Sequence, residues 1–68
     1  MYVNLMVELT RQRLTVKDLS DKSGIPYQTL RDKLQKPDGE GFTLKQADNI
    51  RSALEVEMTL DELFVWVD

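Results

Sequence analysis

The chain has 68 residues, with no cysteine and no histidine. This length suits one small domain near the lower limit for a core unaided by disulfides or metal, and the two missing residue types remove disulfide stapling, common zinc sites, and thiol or imidazole catalysis. The formal net charge of −3 opposes a polyanionic partner, but the distribution reverses that impression, because residues 1–37 carry a net +3 and residues 38–68 a net −6.

Residues 2–13 place Tyr2, Leu5, Met6 and Leu9 on one helical face, with Leu14 entering the core behind them and Val3 and Val7 off the stripe. Thr15 then has the chemistry to cap a second helix from Val16, with Asp18 reaching back as its capping-box partner. Val16 and Leu19 form the buried side of that helix, and Ser20 is small enough for a close crossing. Gly24 can end it in the left-handed conformation. Ile25 plugs the angle, and Pro26 presets φ for a third helix running to Gln35. On that helix Tyr27, Leu30 and Leu34 make an apolar stripe. Gln28, Asp32, Gln35 and Lys36 cluster opposite it, with Arg31 and Lys33 on the flanks.

The short stretch 37–41 reads as an interhelical loop. Thr43 with Gln46, and Thr59 with Glu62, repeat the capping box of Thr15. Ala47, Ile50 and Leu54 mark the buried side of a fourth helix, and Leu60, Leu63, Phe64 and Val67 that of a fifth. Val65 and Trp66 then fall outside the core, although residues 64–67 also have the composition of a short strand. The longest apolar run is Phe64–Val67, too short to span a membrane, and the start lacks a signal-peptide layout. A cytoplasmic protein is expected.

Two short helices joined by a tight turn, the second with a polar outer face, form a helix-turn-helix over 15–35, and this pattern predicts DNA binding. Gln28 has the paired donor and acceptor that match adenine, and Arg31 suits guanine or phosphate. Asp32 is placed to accept from cytosine N4, or to restrain Gln28 or Arg31. Thr29, Lys33 and Lys36 are expected at the DNA backbone, joined by Thr15 and Lys17 at the amino end of the second helix, where free amides favour phosphate. Tyr27 is expected to pack on the core with its hydroxyl toward a phosphate. The acids Asp48, Glu55, Glu57, Asp61 and Glu62 read as caps and polar faces, not a catalytic group, and Met1, Met6 and Met58 as gap-filling residues.

Taken together, residues 15–34, the segment Gly41–Leu54 and the segment Thr59–Phe64 resemble the phage repressor/Cro (XRE-type) helix-turn-helix family in order and spacing. The resemblance covers nearly the whole chain. It implies an all-α, five-helix, lambda-repressor-like domain over 1–68 that binds double-stranded operator DNA as a two-fold dimer and acts as a transcriptional repressor in a phage or its bacterial host. Val65 and Trp66, surplus to the core like Val3 and Val7, form with Val67 the expected dimer contact. The chain departs from the family pattern at Ser20, where Ala is usual, at Lys33, where an aliphatic residue is usual, and in the loop before the fourth helix, where Asp38 and Glu40 replace basic residues. The absence of a ligand domain points to a Cro-like, unregulated switch. No catalysis, cofactor, metal, membrane or small-molecule ligand is expected. The alternative is a non-enzymatic protein-interaction module, antitoxin- or antirepressor-like, that binds a protein through the acidic half or the C-terminal apolar patch.

Overall fold

The computed structural model describes residues 1–35 and 41–68. Within them lie five helices: α1 (Val3–Arg11), α2 (Val16–Ser23), α3 (Tyr27–Leu34), α4 (Leu44–Leu54) and α5 (Leu60–Leu63). They wrap one core of Tyr2, Leu5, Leu9, Leu19, Ile25, Leu30, Ile50, Leu54 and Leu63. The molecule is nearly isometric, 24 × 24 × 20 Å.

Three of the five helices begin with the same reciprocal cap. At Thr15, Thr43 and Thr59 the hydroxyl accepts from the amide three residues on, and the side chain of Asp18, Gln46 or Glu62 accepts from the threonine amide in return. Each cap satisfies two donors that would otherwise lack partners. α1 stops at Arg11, earlier than the apolar stripe predicts. Arg13 takes a left-handed φ of 57°, and Gln12 donates from its amide to the Leu54 carbonyl at 2.9 Å, tying the end of α1 to the end of α4.

The α2–α3 turn is held by more than its glycine. Gly24 sits at φ 77°, and its amide closes on the Ser20 carbonyl. The Ser20 hydroxyl donates to the Ile25 carbonyl, and the Ile25 amide donates to the Ser23 hydroxyl at 3.4 Å. Both serines are buried, so the two polar side chains bridge the turn from inside while Ile25 fills the angle. Pro26 is the cap residue of α3, not its first helical residue; its ψ of 138° is extended, and its carbonyl accepts the first bond from the Leu30 amide.

α5 is a single turn, and here the predicted stripe through Val67 fails. The helix ends at Phe64, and the chain continues extended so that Trp66 bridges Tyr2 antiparallel while the Met1 and Val67 backbones bond in both directions. The physical cause is aromatic: Tyr2 packs edge-on against Trp66 at 5.0 Å and against Phe64 at 5.8 Å, and Phe42 lies 5.7 Å from Tyr2 and 5.2 Å from Phe64. Trp66 is therefore not surplus to the core. Val67, read as buried, is exposed, as is Val65.

Candidate nucleic-acid interface

The turn geometry decides what α3 shows to solvent. With Ile25 and Leu30 both buried and Leu34 packed at the core's edge, the opposite side of α3 faces outward. Gln28, Arg31 and Asp32 are all exposed there. The Gln28 amide donates to Asp32 Oδ1 at 3.5 Å, one helical turn away, so the restraining role anticipated for Asp32 has a partner, though at the far limit of a hydrogen bond. Arg31 has no hydrogen-bond or ion-pair partner among the described residues.

The two flanks of α3 differ. On one flank Lys33 is half-buried, and its ammonium donates to Gln46 Oε1 at 2.8 Å and to the Gly41 carbonyl at 3.4 Å. Gln46 Oε1 is the same atom that caps Thr43, so Lys33 braces the start of α4 and is turned away from the outward face where a phosphate was expected. On the other flank an open groove of about 550 Å³ runs between α3 and the two chain ends, lined by Met6, Val16, Tyr27, Arg31, Leu34 and Trp66 among others. Tyr27, read as core-facing, is 44% exposed at this groove. Its helical angle places it beside Arg31, not behind Leu30, which explains the difference. Thr29 is half-buried.

At the start of α2, Thr15 and Lys17 are exposed. The Thr15 hydroxyl is occupied by the Asp18 amide, and the Asp18 carboxylate takes the Thr15 amide at 2.9 Å. The Thr15 amide first and the Thr15 hydroxyl next, with smaller help from Lys22 and Lys17, hold the Asp18 carboxyl below its ordinary pKa. An incoming phosphate would thus meet one carboxylate at this terminus beside the Lys17 ammonium, with the amides of Val16 and Lys17 lacking a side-chain cap. Lys36, expected at the DNA backbone, and the acids of 38–40 lie outside the described residues.

Among the described residues no group of three or more acidic side chains could hold a metal ion, and no helix is long and apolar enough to cross a membrane. The groove was not legible in the sequence, because it forms only where the two chain ends meet α3, whereas the bonds of Ser20 and Ser23 to Ile25 are local to the turn. No family model, no curated protein and no solved structure matches this chain.

Proposed function

We propose that this chain is a sequence-specific DNA-binding regulator of the helix-turn-helix type, similar to the small proteins of the phage repressor/Cro family, with α2 and α3 as the paired helices. The observation that carries this reading is the division of α3, whose Leu30 is wholly buried while Gln28, Arg31 and Asp32 stand exposed together. Gln28 and Arg31 read base edges, Asp32 positions Gln28 or accepts from cytosine, and Thr29, Tyr27, Thr15 and Lys17 approach the sugar-phosphate chain. Lys33 is left out of that set because its ammonium is engaged on α4.

Eight helical residues span about 12 Å, enough for only a few base pairs, so useful specificity needs two copies on adjacent half-sites. Val65 and Val67, both exposed, are the surface assigned to that contact; Trp66 between them packs against the core. The same exposed apolar residues favour the second reading, a protein-interaction module that keeps this fold.

Selection from a pool of randomised duplexes tests the choice. The DNA-binding reading expects enrichment of a two-fold symmetric sequence with half-sites about 10 base pairs apart. On that sequence Gln28→Ala and Arg31→Ala each lose about 1–3 kcal/mol, whereas Lys17→Ala weakens all duplexes alike. No enrichment, or an unchanged preference in folded Gln28→Ala and Arg31→Ala, moves the chain to the second reading.

A further inference from the structure

The groove beside α3 combines three properties, of which the DNA-binding reading uses only the Arg31 and Tyr27 side chains at its rim. Its body is apolar, formed by Tyr2, Met6, Val16, Leu34 and the indole of Trp66. Its polar rim carries Arg31, with Tyr27 and Gln35 on the same flank of α3, and no carboxylate lines it among the described residues. At about 550 Å³ it lies within the range of small-molecule sites.

We propose that this groove binds a small amphipathic monoanion, with an apolar body seated on Met6, Val16 and Trp66 and a terminal carboxylate held by Arg31. The charge complementarity is specific: Arg31 is without a partner among the described residues, so a carboxylate gains a charge-assisted, bidentate contact without displacing one inside the protein. A neutral molecule of equal length gains only the apolar part. Since Arg31 is also assigned to DNA, the bound anion competes with the duplex for one guanidinium. This makes the domain ligand-responsive, contrary to the unregulated behaviour expected from its sequence. Occupancy of the groove stands independently of DNA; the regulatory consequence rests on the DNA-binding reading.

Decanoate and decanol are the paired probes, titrated into the full chain below their aggregation limits. Binding is followed by the emission of Trp66, the one tryptophan, and by backbone NMR shifts. Saturable binding of decanoate, tighter than decanol by tenfold or more and with shifts at Tyr27, Leu34 and Trp66, is the expected result. Arg31→Gln, at an exposed position that leaves the core intact, should bring the two probes to equal affinity. Three results overturn the proposal: no saturation, a decanoate affinity in Arg31→Gln unchanged from the native chain, or shifts confined to Val3, Val7, Thr10 and Arg11, which line a second depression along α1. These titrations contain no DNA, so they fail or succeed apart from the reading above. With the selected duplex present, saturating decanoate should weaken binding of the native chain at least tenfold, and an unchanged affinity overturns the regulatory half.

Discussion

Lys33 and Asp32 are adjacent on α3 and face opposite fates. The Lys33 ammonium is committed to Gln46 Oε1, which in turn caps Thr43, so Lys33→Met removes a bond from a half-buried site where the stem still packs. A loss of about 1 kcal/mol in urea denaturation, with duplex affinity unchanged, is expected; a fall in duplex affinity without loss of stability would return Lys33 to the DNA surface. Asp32 is exposed and carries a negative charge onto the face assigned to phosphate and bases. Asp32→Asn should therefore raise affinity for random-sequence duplex several-fold at low salt and alter the preferred base at one position, measured by fluorescence anisotropy. Identical random-duplex affinity for both chains would place Asp32 away from the DNA.

Caps decide the elements. Thr15→Ala, Thr43→Ala and Thr59→Ala should each cost about 1 kcal/mol, since each removes a side-chain acceptor from a helix start. Asp18 and Glu62 are held below their ordinary pKa, first by the threonine amide and next by the threonine hydroxyl. The unfolded chain therefore binds protons at these groups before the folded chain does. Stability from them is complete above about pH 5 and is lost as pH falls through the ordinary carboxylate range, about 4, and on through the lowered folded values. Asp18→Asn and Glu62→Gln should flatten the acid limb of a stability-versus-pH curve, and an unchanged limb would show that the caps are not formed in solution. Glu55 ends α4 at φ 55°, a conformation that favours glycine, so Glu55→Gly should stabilise by about 0.5 kcal/mol once the added chain entropy is set against relief of strain. These helix starts were legible in the sequence because a capping box is local. The end of α5 was legible only as an alternative, the extended reading of residues 64–67, because the choice depends on Tyr2 drawing Trp66 across the whole length of the chain. The bond from Lys33 to Gln46 was not legible for the same reason: its partner lies beyond the loop.

At the scale of the molecule, the two chain ends form one small structure. Met1 and Val67 pair their backbones, and Tyr2, Phe42, Phe64 and Trp66 close the core beneath them. Trp66→Ala should destabilise the monomer by about 2–3 kcal/mol, through loss of a partly buried aromatic. Val67→Asp should leave stability nearly unchanged and weaken self-association in sedimentation, because Val67 is exposed. The opposite pattern would mean that the exposed valines are not the contact between copies. The core of α1 and α4 was legible from periodicity, as was the outward face of α3. The charge asymmetry along the chain was legible too, although its use at an interface belongs to the proposal. The most direct test is an amide NMR titration of the full chain with the duplex recovered by selection. Shifts gathered at Gln28, Arg31, Asp32 and Lys17, diminishing as salt rises, are the predicted result; shifts gathered on α4 and residues 65–68 with α3 silent would contradict it.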